Sequence, residues 1–376
     1  MSIAIETLRN KEASEYEELL CSMETSLLYA SFKYRCFLEH ILLHGEPIYL
    51  VAREDGNMVA ALPIFLCHND KYGNILNSLP FYGSNGGIVV SSNVKEEQIV
   101  KQDLLHAFHE LAKEKKALVS TLITNPFEKE VDFYEGHFHH TLRDERIGQI
   151  SPLPRNWEGE EDLREKLMGL FHQKTRNSIR KAQKSHLTVF HSDSLVALRK
   201  LADLHRQNIE AMGGLAKPWS VFEAIHSTFA YDQDYRVYLA EKEGEVIAAL
   251  LVFFYNCTTE YFTPAVHEDY RVFQPMSLLV FEAMQEAARR GCFFWNWGGT
   301  WLTQKGVYHF KSRWGTQDRR YFYYIREYDQ SNPLRTLSSQ ELISAYPYFY
   351  VLPFNILEKG ISNLNRSEKE EDSLEL

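Results

Sequence analysis

Residues 51–65 read VAREDGNMVAALPIF, and residues 239–253 read LAEKEGEVIAALLVF. The two stretches align without a gap at an offset of 188 positions, with Ala52/Ala240, Gly56/Gly244, Ala60/Ala248, Ala61/Ala249, Leu62/Leu250 and Phe65/Phe253 identical. Each has an apolar strand, a polar turn (Asp55-Gly56 or Glu243-Gly244) and a second apolar strand. Such a pattern predicts a β-hairpin, because glycine supplies the positive φ that a tight hairpin turn needs. A repeat spaced by half the chain predicts two halves of similar build.

The flanks agree with this reading. A helical pattern and then an apolar strand come after each hairpin: Gln102–Lys116 then Ala117–Ile123 in the first half, Pro275–Arg290 then Cys292–Trp297 in the second. Strand and helix alternate in both halves, so the fold class is α/β with mixed sheets, in two related domains. The stretch Ile150–Asp162, ISPLPRNWEGEED, has two prolines and a polar remainder and reads as a linker. The expected division is a first domain over residues 1–150, a linker over 151–162, a second domain over 163–330, and a C-terminal segment over 331–366 that packs on the core. Residues 367–376, SEKEEDSLEL, read as a disordered acidic tail.

The chain has 376 residues, 41 basic and 51 acidic side chains and a net charge of −10. That length suits two domains with sizeable cores. The composition excludes a rod, a collagen and a wholly disordered chain. The negative balance argues against a protein that coats DNA, though it leaves room for a local basic groove. Five cysteines without a CxxC pair suggest a reducing compartment. The first twenty residues carry acids where a secretion signal has a basic region and an apolar run, so a cytoplasmic protein is expected.

Three segments could carry chemistry. HQKTRNSIRKAQKSH, residues 172–186, has five Lys or Arg residues and no acid. On a helix, Lys174, Arg176, Arg180, Lys181 and Lys184 share one half of the surface, opposite an apolar stripe of Met168, Phe171, Ile179 and Ala182. A row of cations suits phosphate; a solvated charged face is the plain alternative. Leu79–Ile88 contains Gly83, Gly86 and Gly87 with Ser84 and Asn85 between them, a loop over which a ligand can approach the backbone or an ordinary tight turn. WNWGGTWLTQKGVYHFKSRWG, residues 295–315, ends a strand at Gly298-Gly299 and leads into aromatic and basic residues. Most of those rings read as core. Lys311, set between Phe310 and Trp314, must point outward or meet a negative group. His137, His139 and His140 share no face of a strand or helix, and no metal site is expected.

These residues together resemble the FemAB family, the peptidoglycan interpeptide-bridge aminoacyltransferases and their relatives, built from two GNAT (N-acetyltransferase-like) domains. The resemblance rests on Tyr82-Gly83-Ser84-Asn85-Gly86-Gly87, on Lys174 through Ala182, on Pro275 through Gly291, and on Gly298-Gly299-Thr300, Gln304, Gly306, Tyr308, Phe310-Lys311 and Trp314-Gly315. It covers roughly residues 45–325 and implies acyl transfer to an amine. The donor would be aminoacyl-tRNA or acyl-CoA, with no tightly bound cofactor. The acceptor would be a nucleotide- or lipid-linked glycan or peptidoglycan precursor in the bacterial cytoplasm or at the inner face of the membrane.

By position, Lys174, Arg176, Arg180 and Lys181 would hold acceptor diphosphate, with Ser84, Asn85, Gly86 and Arg313 as further binding residues. Lys311 would sit near the reacting carbonyl, where a cation stabilises developing negative charge. Tyr308 and Tyr261, with Glu260 behind them, are the expected acceptors of the amine's proton.

The chain departs from acetyl-CoA-dependent GNAT domains at Tyr270–Ser277, YRVFQPMS, which lacks the glycines of their phosphate cradle. Two alternatives accompany this reading: acyl-CoA-dependent N-acetylation of a nucleotide-linked amino sugar, and a binding module without catalysis. YPYFYVLPFNIL, residues 346–357, is expected to pack on the core, a peripheral membrane contact being the alternative.

Overall fold

The computed structural model describes residues 3–81, 85–128, 131–329 and 331–353. The chain divides into two compact units. Unit 1 takes residues 1–23, 29–145 and 321–376; unit 2 takes 24–28 and 146–320.

Unit 1 begins with β1 (Ile3–Thr7), α1 (Ala13–Cys21), α2 (Phe32–Ile41) and β2 (Gly45–Pro47). The hairpin β3 (Leu50–Glu54) and β4 (Asn57–Leu62) follows, then β5 (Phe65–Cys67), β6 (Asn74–Asn77) and β7 (Val89–Val90). Next come α3 (Glu97–Glu114), β8 (Ala117–Ile123) and α4 (Val131–His137). Strand β9 (Leu142–Pro152) carries the chain into unit 2. There it forms α5 (Gly159–Leu170), α6 (Gln173–Lys184), β10 (Thr188–His191), α7 (Leu195–Ala211) and α8 (Trp219–Thr228). The second hairpin, β11 (Tyr235–Lys242) and β12 (Glu245–Tyr255), precedes β13 (Thr258–Val266), α9 (Pro275–Arg289), β14 (Phe294–Trp301) and α10 (Lys305–Ser312). Strand β15 (Gln317–Glu327) returns to unit 1, which ends in α11 (Ser339–Ala345).

The repeat inferred from the hairpins is structural. Asp55 and Gly56 have φ of 50° and 86°, and Glu243 and Gly244 have 54° and 85°. Two successive positive φ values give the turn whose twist matches that of the strands it joins. The register slips once in each hairpin, at the same place: Ala52 faces Ala60 and Arg53 faces Met58, while Ala240 faces Ala248 and Glu241 faces Val246. The extra residue of the bulge is Val59 in one copy and Ile247 in the other. Each hairpin is preceded by a strand and two helices, β1-α1-α2 or β10-α7-α8, with the short β2 added before the first hairpin.

In unit 1 the strand order is β1-β3-β4-β7 in one sheet, with β15-β8-β6-β5-β2 in a second run. In unit 2 it is β10-β11-β12-β13-β14-β9. The unit 2 core joins that sheet to α5, α6 and α9 through Leu163, Leu167, Ile179, Leu250, Phe281 and Met284, with Trp295, Trp297 and Trp314 at its end. Phe171 meets Trp314 edge-on at 4.9 Å, a geometry that stabilises by about 1 kcal/mol beyond the area buried.

The structure corrects the expected boundaries. The linker expected over 151–162 holds the end of a strand and the first turn of a helix, since Pro152 is the last residue of β9, opposite Phe294, and α5 starts at Gly159. Proline is tolerated at a strand end because only interior ladder positions need its missing N–H. The chain crosses between units at 145/146 and 320/321 instead of at 150 and 330. Residues 331–353 belong to unit 1, where Tyr346, Val351 and Leu352 are buried with Leu334 and Leu342; residues 354–376, including the acidic tail, lie outside the described residues.

Candidate functional site

Strands β13 and β14 run parallel and pair only at Thr258/Phe294, Thr259/Trp295 and Glu260/Asn296. Both then continue, β13 to Val266 and β14 to Trp301, and β14 is paired with β9 on its other edge from Phe294 to Trp301. The register slips between Asn296 and Gly299 on one side, and between Leu251 and Val252 against β13 on the other. Bulges bend strands, so the two part at Glu260 and Asn296. At that vertex the buried Asn296 amide donates to Glu260 Oε2 at 2.8 Å and accepts from the Gly298 N–H at 2.9 Å.

Lys311 lies beside the far end of β14. It is the buried position of α10, a helix exposed over most of its length. Its ammonium donates to Gly299 O at 3.2 Å and to Thr300 Oγ1 at 3.0 Å. Thr300 in turn donates to Gln149 Oε1 at 3.3 Å, and Gln149 Nε2 points toward Tyr308 O and Thr316 Oγ1. Lys311 is 6% exposed. Burial pushes its pKa down to about 8 from 10.5, because the charged form loses hydration. The amine therefore titrates close to physiological pH, which is unusual for lysine and common at reactive sites. Below the seam, Trp297 Nε1 donates to Ser151 Oγ and Ser151 donates to Trp314 O, both at 2.9 Å.

The basic segment is α6, as expected. Its N-cap is His172, whose Nδ1 accepts from Lys174 N. The residue Thr175 faces inward and donates to Arg313 O, to which His172 N also donates, so the start of α6 is tied to the end of α10. Lys174, Arg180, Lys181 and Arg313 are exposed. The side chain of Arg176 is turned back instead, donating to Phe171 O at 2.6 Å. It caps the last turn of α5, a standard role for arginine at a helix C-terminus, and so leaves the row of cations.

The tyrosines do not suit the role expected of them. Tyr308 donates its hydroxyl to Asp318 Oδ2 at 2.7 Å, a bond that raises its pKa. Burial keeps Tyr261 protonated as well; its ring lies 4.9 Å from Trp297. A phenol held protonated donates hydrogen bonds and cannot take a proton from an amine. In unit 1, Asn85 is buried and its amide approaches Thr124 O at 3.5 Å, while a Cβ on Gly86 would stand 2.3 Å from Ser78 Oγ. That close backbone approach accounts for the glycine without a ligand. Ser84 lies outside the described residues. Missed in the sequence were Gln149 and Ser151, polar residues within a strand, and the role of Thr300, which the sequence marked only through the resemblance; their burial was the missing signal.

The start of α9 explains the absent glycine cradle. Gln274 takes a left-handed φ of 59°, Pro275 has no N–H, and Ser277 N is spent on Gln274 O at 3.0 Å. Few backbone donors remain for a pyrophosphate.

Residues 171–312 match the family model described as an acetyltransferase (GNAT) domain. No curated protein matches the chain in sequence. Among solved structures the chain is similar to FemX, with a TM-score of 0.69 and 16% identity over 85% of this chain and 97% of that one. A tandem GNAT protein from the clavulanic acid biosynthesis pathway matches with a TM-score of 0.52 and 12% identity over 87% of this chain and 98% of that one. The C-terminal domain of an Agrobacterium fabrum protein described as a putative lysylphosphatidylglycerol synthetase matches with a TM-score of 0.54 and 12% identity, covering 91% and 99% of the two chains. The parted parallel strands and the family match place a GNAT domain at residues 171–312, within a chain whose fold is that of FemX. In fold, this chain is similar to FemX and to the tandem GNAT protein.

Proposed function

We propose that the chain transfers an acyl or aminoacyl group to an amino group of a cell-envelope glycan or peptidoglycan precursor, and that Lys311 serves the reacting carbonyl. The buried Lys311 beside the parted strands of the matched GNAT domain carries this reading. The acceptor nitrogen attacks the carbonyl carbon. A C–N bond forms, the C–O bond of an ester or the C–S bond of a thioester breaks, and the proton lost by nitrogen ends on the leaving oxygen or sulfur, through water. Negative charge gathers on the carbonyl oxygen in the transition state, and the Lys311 ammonium, fixed by Gly299 O and Thr300, stabilises it. Lys174, Arg180, Lys181 and Arg313 supply charge for acceptor phosphates.

The likeness to FemX and to a protein described as a lysylphosphatidylglycerol synthetase supports an envelope acceptor. The α9 start favours aminoacyl-tRNA over acyl-CoA as donor, since little at that helix end holds a pyrophosphate. Incubation with charged tRNA or acetyl-CoA, each with UDP-linked muropeptide or UDP-linked amino sugar, tests the reading by mass spectrometry of the acceptor. Product from acetyl-CoA and the amino sugar alone would shift it to sugar N-acetylation. Binding of precursors without product from any donor would leave a binding module.

A further inference from the structure

Two acid-free stretches meet in unit 2. Residues 170–186 and 298–317 contain no Asp or Glu, in a chain of net charge −10. They are joined where His172 N and Thr175 Oγ1 both donate to Arg313 O. One side of this junction is cationic. Lys174, Arg180, Lys181 and Lys184 are exposed along α6, and Lys305, His309 and Arg313 lie on the side of α10 opposite the buried Lys311. None of these residues forms an ion pair among the described residues.

The same junction exposes large apolar side chains. Leu302 is 57% exposed, Val307 43%, and Trp301 and Phe310 37% each, all within ten residues. Leu170, at the turn from α5 to α6, is exposed too. Scattered exposed hydrophobes need no explanation, but a cluster beside a row of cations does, with Asp318, which accepts from Tyr308, as the acid set against it. Trp301 covers the buried Arg146, whose guanidinium lies 3.4 Å from its ring centre, so one face of the indole is packed and the rest of the side chain is exposed.

We propose that the α6/α10 face of unit 2 docks peripherally on a bilayer containing anionic phospholipid. Apolar side chains of the Trp301–Phe310 stretch would enter the headgroup boundary while the cations meet lipid phosphate, the two contributions that hold an interfacial helix. Charge alone would suit RNA equally; the exposed leucine and valine favour lipid, because a phosphate backbone gives them nothing to bury against. No described helix is long and apolar enough to cross a membrane, so the contact is at the surface. The segment 346–353 does not supply it, since Tyr346, Val351 and Leu352 are buried in unit 1.

Flotation of the full chain with phosphatidylglycerol/phosphatidylcholine vesicles, against phosphatidylcholine vesicles alone, tests this. The protein should float with the anionic vesicles and be released as salt rises from about 0.05 to 0.5 M. The double variant Leu302→Asp/Val307→Asp should bind at least about tenfold more weakly, and Lys184→Glu a few-fold more weakly. Thermal melting of each variant separates lost docking from lost fold. Equal recovery with both vesicles, flotation with neither, or wild-type binding by the folded double variant overturns the proposal, as does tRNA binding by the wild-type chain without vesicle binding. Vesicle binding is read without turnover, so it can fail while the proposed reaction stands.

Discussion

Units 1 and 2 share a hairpin down to its turn angles and the position of its bulge, yet differ in the strands that come after it. In unit 2 the next strand, β13, has nine residues and parts from β14 beside a buried polar seam. In unit 1 the strand paired next to the hairpin, β7, has two residues, and β8 pairs with β6 instead. Strand β5, whose Phe65 matches Phe253 near the end of β12, leads into β6, which runs parallel to β8 as β13 does to β14. A repeated scaffold thus keeps its turn chemistry while the lysine buried beside parted strands occurs in unit 2. Glycine at a φ near 85° is required by the backbone in both copies, whereas a buried lysine is tolerated only where its hydrogen bonds are supplied.

The two units should separate most sharply at Lys311. Substitution Lys311→Met should lower kcat by about 10²–10³-fold, the usual cost of removing one group that stabilises an oxyanion, while Asn85→Ala in unit 1 should stay within a few-fold. Steady-state kinetics of both variants decides it, and a comparable loss at Asn85 would make the site shared. The wild-type kcat/KM should fall as pH rises through about 8, because the ammonium is lost there. A rise through the same pH would make Lys311 a base.

The same variant tests stability. Lys311 binds its proton less tightly when folded than when unfolded, so burying the charge destabilises the fold below about pH 8, and that cost is relieved as pH rises toward 10.5. Lys311→Met should therefore gain stability at pH 7, at most about 3 kcal/mol, and the gain should vanish above pH 10.5. Urea denaturation at the two pH values reads this directly. Thr300→Val removes one acceptor of the ammonium. It should cost about tenfold in kcat with little change in KM and move the alkaline limb to lower pH. An unchanged pH profile would mean that Thr300 only fills space. The smallest effect sharpens the likeness instead of the difference: Gly56→Ala and Gly244→Ala should each cost about 1 kcal/mol, since nothing crowds either Cβ and only the left-handed φ is strained. Unequal losses by thermal melting would show that the two turns are not equivalent.

The hairpins, α6 and the strand–helix succession were legible in the sequence because they depend on local patterns: a glycine turn, alternation and a one-sided basic helix. The borders of the units were not, because β15 joins β8 by pairing Tyr323 with Ile123, two hundred residues apart. Lys311 was legible as a cation among rings. Its setting was not, because Thr300 bonds Gln149 across 151 positions, and no local pattern marks a glutamine for burial. Arg176 misled for the opposite reason: its place on the cationic side of the helix was read correctly, but the open carbonyls at the end of α5 claim it.

That unit 2 interrupts unit 1 also orders the birth of the protein. Synthesis proceeds from the N-terminus, so the stretch 146–320 leaves the ribosome before Tyr321–Glu327, the strand that closes unit 1 against β8. The half that holds Lys311 can complete its own core while the other waits with an open edge. A chain released after residue 320 would hold all of the second unit and a half-built first one, and any chaperone attending this protein would find its work in the half that was started first.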